Sequence, residues 1–126
     1  MWETYLGKRM LGAKYALKGA ILLLKNEASI QVQASIAIIM TFAGFHFELS
    51  NTEWMLQILA IGIVLSTEGL NTAVEQIANF VHPDYHIKIG YIKDVAAGAV
   101  FFAAATAIVI GCIIYIPKIK IFFSFI

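Results

Sequence analysis

Glu68, Asn71, Thr72 and Glu75 follow one another at i, i+3, i+4 and i+7 within EGLNTAVEQIANF, a stretch of helical pattern. That spacing sets all four on a single helical face about 10.5 Å long from the first carboxylate to the last. The stretch continues an apolar run from Trp54 to Thr67, so the polar face belongs to a helix that enters a hydrophobic environment. Ionisable groups in such a helix cost roughly 2.5 to 3.5 kcal/mol each on insertion scales. Asn71 and Thr72 alone fit hydrogen-bonded contacts between neighbouring helices. Two carboxylates with no basic residue in the same helix call for a chemical reason.

Two further acidic residues belong to the same level. Glu27 directly precedes one uncharged run and Asp94 directly precedes another. Three chain segments therefore bring carboxylates to one membrane boundary, where they repel unless a cation sits among them. Oxygen ligands in small number, beside water and a phosphate, suit Mg²⁺ better than zinc or a soft metal. Lys8, Lys14, Lys18, Lys25 and Lys93 lie near this level and suit the phosphates of a nucleotide. The chain contains no GxxxxGK phosphate loop, no GxGxxG and no protein-kinase motif set, so any ATP site is unlike those folds. Glu68 is deeper, about 21 Å along its helix from Trp54, where the headgroup of a lipid alcohol reaches. The residues thus point to an interfacial site for a divalent cation, an anion and a lipid headgroup.

The elements that must hold this site are membrane helices. Of 126 residues, 60% are hydrophobic and 13% charged, with a net charge of +1. Soluble domains average roughly 45 to 50% and 25%. Such a composition excludes disorder, nucleic-acid binding through a basic face and most soluble enzyme classes. Twenty residues between Glu27 and Glu48 and twenty-three between Asp94 and Lys118 carry no formal charge. Each run is long enough to cross a hydrocarbon core of about 30 Å. We expect one all-α domain over residues 1–126, with a surface helix over about 3–26 and spans over about 28–48, 54–80 and 94–116. The connections are expected at 46–53 and 81–93, and Pro83 closes the second span.

Leu6, Met10, Leu17, Ile21 and Leu24 share one sector of the first helix, while Lys14, Lys18 and Lys25 share another, the pattern of an amphipathic helix lying among headgroups. Seven of the nine basic residues precede the first span or fall in the second loop, and none lies in the first loop. The positive-inside rule then places the N-terminus and the 81–93 loop in the cytoplasm. Only Lys118 and Lys120 oppose it. Cys112, the single cysteine, allows neither a disulfide nor a cysteine-rich metal site and reads as a small buried thiol.

Three stretches, ALKGAILLLKNEA, LSTEGLNTAVEQIANFVHPDYHIK and IKDVAAGAVFFAAATAIVIG, resemble the prokaryotic integral-membrane diacylglycerol kinase and undecaprenol kinase family. The likeness runs from about Lys8 to Pro117 and includes E-x-x-N-x-x-x-E at Glu68, Asn71 and Glu75, and K-D at Lys93 and Asp94. It implies a homotrimer of three-span subunits in the bacterial inner membrane, with active sites shared between neighbours. It further implies a transfer of the ATP γ-phosphate to a membrane lipid alcohol, diacylglycerol or undecaprenol. By that resemblance Glu27 and Glu75 hold the magnesium that accompanies ATP, Glu68 is the general base on the lipid hydroxyl, and Asn71 supports it. Lys93 and Asp94 contact the nucleotide together with Lys8, Tyr15 and the Asp84, Tyr85, His86 loop. Ala97 is a small residue near the substrate, and Trp54 corresponds to a lipid contact at the outer edge, where it reads equally as an interfacial anchor.

These roles are physically coherent, because phosphoryl transfer is mainly positioning and charge neutralisation. A carboxylate partly withdrawn from water suits proton acceptance from an alcohol. The chain departs from the family at Ser29, Gln31 and Gln33, where the undecaprenol branch often carries an Arg and a His, and at Asn79, which replaces a common acidic residue. The competing class is a small oligomeric proton or cation pathway, since intramembrane carboxylates also mark ion relays. Such a pathway favours polar residues near the midplane and repeated halves, whereas here the polar residues gather toward one end of three spans. A membrane adaptor without chemistry leaves the carboxylates unexplained.

Overall fold

The computed structural model describes residues 4–126, which form four helices: α1 (Tyr5–Asn26), α2 (Ala28–His46), α3 (Asn51–Val81) and α4 (Ile87–Ser124). The protein is an integral membrane protein, for α2, α3 and α4 are each long and apolar enough to cross a bilayer. Its exposed surface has the same character. No side chain among the described residues is fully buried, while large apolar residues such as Phe42, Ile58 and Phe101 are exposed along all three helices. A soluble fold cannot leave that surface in water, whereas lipid tails are as apolar as the side chains themselves.

α1 begins where the Thr4 hydroxyl accepts from the Gly7 backbone N–H, and it ends at Glu27. Leu6, Met10 and Leu17 are exposed on it, as an amphipathic interfacial helix requires. Glu27, at φ −106° and ψ 112°, is the only non-helical residue between α1 and α2. Gln31 secures this joint from one turn inside α2 by donating its side-chain amide to the Leu24 and Lys25 carbonyls, two acceptors that the end of α1 leaves free.

α2 turns into α3 through residues 47–50, where Glu48 takes a left-handed backbone at φ 54°. α3 starts with a capping box. The Ser50 hydroxyl accepts from the Glu53 N–H, and the Glu53 carboxylate accepts from the Ser50 N–H. Lys118 of α4 pairs with the same carboxylate at 3.2 Å. The Ser50 backbone N–H and then the Lys118 ammonium hold this carboxyl, which precedes the apolar run, below its ordinary range.

α3 and α4 are the principal packed pair and run antiparallel in an even register. Twenty-two residues back along α3, from Asn79 to Gln57, match twenty-two forward along α4, from Lys93 to Tyr115. α2 joins them chiefly at the loop end. Gly44 lies flat against the Trp54 indole, where a Cβ would come within 2.5 to 3.0 Å of three ring carbons. Leu49, Ile114 and Tyr115 form a small core there with Met40, Phe47 and Trp54 around it. Inside it the Gln57 amide donates to the Met40 carbonyl at 3.0 Å and accepts from the Tyr115 hydroxyl, tying three helices through one polar side chain.

Two expectations are corrected. α4 starts at Ile87, so Lys88 to Lys93 are helical and not part of the connection. The His86 ring caps the helix by accepting from the Lys88 N–H. Cys112 is exposed on α4 and not buried within the chain, because Gly111, Ile114 and Tyr115 take the inward face of this stretch and leave Cys112 on the other.

Candidate active site

The even register of α3 on α4 fixes which site residues share a level. Asn79 faces Lys93, its side-chain oxygen accepting from the Lys93 ammonium at 2.7 Å. Four residues back along α3 is Glu75 and four residues on along α4 is Ala97, so these two lie at one level, with Asp94 slightly nearer the helix ends. α2 contributes its own contact. The Gln33 side-chain amide donates to Glu68 Oε2 at 3.0 Å. From that contact Glu27 is six residues toward the start of α2 and Glu75 seven toward the end of α3, steps of about 9 and 10.5 Å in the same direction. Glu27, Glu75, Lys93, Asp94 and Ala97 therefore gather at one end of the bundle, and Glu68 lies deeper.

Each acidic group has a distinct setting. Glu68 is buried, at 9% exposure, and Gln33 supplies the one side-chain hydrogen bond to it among the described residues. Glu75 is half-buried on the same face of α3. Glu27 stands at the joint between α1 and α2, where its side chain makes no capping bond although its position is that of an N-cap. The ion pair between Lys118 and Glu53 is the only one among the described residues, so Glu27, Glu68, Glu75 and Asp94 are not neutralised by basic side chains of their own chain. The amide oxygens of Gln33 and Asn71 are both buried and meet no hydrogen-bond donor of the chain.

The donor set fits magnesium in the manner usual for that ion. No group of three His, Cys, Asp or Glu side chains among the described residues makes a closed cage. Mg²⁺ is typically held by one or two carboxylates and the oxygens of a phosphate substrate. Glu27 and Glu75, both acidic and both without an intrachain cation, offer that partial shell.

Beyond the carboxylates, residues 82–86 present Asp84, Tyr85 and His86 at the same end, all exposed. The His82 ring meets the Asp84 carbonyl at 2.7 Å, and the His86 ring is committed through Nδ1 to capping α4, which leaves its Nε2 facing outward. Toward the middle of the molecule, α2, α3 and α4 enclose an apolar cleft of about 370 Å³, with Gln33 at its Glu68 end and Gln57 at the other.

Three expected site residues lie apart from this cluster within one chain. Trp54 packs on Gly44 and Phe45 at the opposite end of α3, its ring centroid 4.9 Å from that of Phe45. Lys8 and Tyr15 are exposed on α1, nineteen and twelve residues before Glu27, about 28 and 18 Å of helix away. Conversely, four amides carry contacts that motif reasoning did not assign: Gln31, Gln33, Gln57 and Asn79. The cost of polar groups in a span, the reasoning that singled out Glu68, applies to Gln33 and Gln57 as well.

Comparison with known proteins adds a family. The family model for prokaryotic diacylglycerol kinase matches residues 14–115. The undecaprenol kinase of Bacillus subtilis (strain 168) is 38% identical over 95 residues, 75% of this chain and 77% of that protein. The diacylglycerol kinase of Haemophilus influenzae is 30% identical over 90 residues, 71% and 76% of the two chains. That of Escherichia coli (strain K12) is 26% identical over 102 residues, 81% and 84%.

Proposed function

We propose, for a chain that belongs to the prokaryotic diacylglycerol kinase family and is accordingly a membrane lipid kinase, that it transfers the γ-phosphate of ATP to a membrane lipid alcohol, diacylglycerol or undecaprenol, with Mg²⁺. The observation that carries this reading is the buried Glu68 carboxylate, hydrogen-bonded to Gln33 and set about two to three turns deeper than Glu27, Glu75, Lys93 and Asp94 at the bundle end.

In this mechanism the lipid enters sideways from the bilayer, its chain along the apolar cleft and its hydroxyl at Glu68. Glu68 accepts the hydroxyl proton as the alcohol oxygen bonds to the γ-phosphorus and the bond to ADP breaks. Asn71, one turn away on the same face, supports that carboxylate. Glu27 and Glu75 hold the magnesium ion, which when bound neutralises phosphate charge. Lys93, aimed by Asn79, contacts the phosphates, and Asp94, Asp84, Tyr85 and His86 complete the nucleotide contacts at the bundle end. Ala97, level with Glu75, leaves room beside the substrate. Trp54 is a lipid contact at the far end of α3, remote from the transferred phosphate.

Lys8 and Tyr15 reach a nucleotide most readily in a neighbouring subunit, since α1 carries them away from their own Glu27. This supports a homotrimer with shared sites. The basic residues set the N-terminus and the 82–86 loop on the cytoplasmic side of the bacterial inner membrane, where ATP is found.

The test gives the reconstituted protein labelled ATP, Mg²⁺ and each lipid separately and follows label into the organic phase. Transfer to one or both lipids is expected. Absence of label from both lipids would refute the proposal.

A further inference from the structure

A carboxyl group at 9% exposure, surrounded by apolar helices, needs hydrogen-bond partners in place of the water it has lost. Lys118 is spent on Glu53 at the far end of α3, and Lys93 on Asn79 near the loop. Glu68 is left with one side-chain donor among the described residues, the Gln33 amide at 3.0 Å. The orientation of that amide follows from chemistry. Turned the other way, its carbonyl oxygen would face an ionised oxygen at the same distance. Gln33 Oε1 is meanwhile buried without a donor among the described residues, a cost that an apolar residue of similar size would not incur. A side chain kept for packing alone has no reason to carry that amide.

We infer that Gln33 is a positioning residue for the phosphoryl transfer: its amide N–H orients the Glu68 carboxylate and fixes which of its oxygens remains free to take the proton of the lipid hydroxyl. The inference rests on the reading of Glu68 as the base. The bond occupies Oε2. Oε1 is thereby the oxygen left for the alcohol, and the carboxylate plane is set from α2 although the base itself is on α3. Because a glutamine amide does not titrate, the donor is neutral at every working pH, unlike the imidazole of a histidine. Gln33 also lies at the Glu68 end of the apolar cleft, so the residue that orients the base borders the path proposed for the lipid chain.

Glutamate and leucine substitutions separate this role from packing. Gln33→Leu keeps the volume approximately and removes the donor. Gln33→Glu is isosteric and replaces the donor with a second carboxyl, which either ionises and repels Glu68 or shares its proton, and both outcomes remove the free base. With the lipid that accepts label as substrate, Gln33→Leu should lower kcat roughly tenfold to a hundredfold, the range for a hydrogen bond to a charged group, and leave the KM for ATP within about twofold. Gln33→Glu should fall at least as far, and Gln33→His should regain most of the rate, since an imidazole carries a ring N–H in either protonation state. Circular dichroism and size-exclusion profiles establish that each variant is folded. Near-normal kcat in Gln33→Glu, or a loss confined to the KM for ATP, would overturn the inference. The Glu68→Gln variant run in parallel separates the two readings. Full turnover there overturns the base assignment itself, whereas an inactive Glu68→Gln beside an active Gln33→Glu overturns only the role of Gln33.

Discussion

At the residue scale, the same amino-acid type has different tasks according to what surrounds it. The Glu53 carboxylate meets a lysine and one backbone N–H and caps a helix, whereas Glu68 is withdrawn from water and meets a single neutral amide. The proposed chemistry predicts two separable failures. Glu68→Gln should abolish phosphate transfer while nucleotide binding, followed by isothermal titration in detergent, stays measurable. Glu75→Gln should instead weaken binding of Mg·ATP by about tenfold or more, since one of two carboxylate ligands is lost. Asn79→Asp offers a third measurement. A carboxylate in place of an amide would neutralise Lys93 at its present 2.7 Å contact, so the KM for ATP should rise and its dependence on ionic strength should weaken. Sequence spacing alone exposed Glu68, Asn71 and Glu75, but Gln33 and Asn79 became meaningful only when their partners on other helices were known.

At the element scale, the joints are more individual than the spans. The Glu27 joint, the turn at 47–50 and the His86 cap each depend on a few side chains, while the spans between them are apolar on most faces. Gly44→Ala should destabilise the protein by about 1 to 3 kcal/mol through overpacking against Trp54. That penalty should largely vanish in a Trp54→Ala background, as read by thermal melting in micelles. Ser50→Ala should cost about 1 kcal/mol by removing the cap on α3. The same cap is pH-dependent in a defined direction. Its Glu53 carboxyl is held below its ordinary range, so it contributes stability above the unfolded value and loses it as the pH falls through the folded one. The melting difference between wild type and Glu53→Gln should accordingly shrink under acid conditions. The extent of α4 was the least legible element in the sequence. Its apolar run marks residues 94–116, but His86 capping and Pro117 inside an unbroken helix extend it from Ile87 to Ser124.

At the scale of the whole molecule, one chain brings only part of the proposed site together. The bundle end collects Glu27, Glu75, Lys93 and Asp94, yet Lys8 and Tyr15 extend away on α1. A site completed by a neighbouring copy predicts complementation. Co-expressed Tyr15→Ala and Glu75→Gln chains, each impaired alone, should yield more transfer than either gives by itself at limiting ATP, and light scattering of the purified protein should report a trimer. Absence of rescue in verified mixed oligomers would restrict each site to one subunit. The large exposed apolar surface on α2, α3 and α4 is compatible with lipid and with copies of the chain, and this is why oligomeric state is a matter for measurement and not for composition.

The sequence by itself determined that the chain lives in a membrane, which segments are apolar and long enough to cross it and which residues share the polar face of α3. Those properties follow from hydrophobic run length and from the 3.6-residue helical period, both of which are local. Only the tertiary structure decided that Gln33 is the partner of Glu68, that Ala97 is level with Glu75, that Asn79 aims Lys93 and that Trp54 fits Gly44 at the far end. Each of these depends on the register between helices. Register is set by side-chain contacts between residues tens of positions apart, and no local pattern in a nearly uniform apolar sequence specifies it.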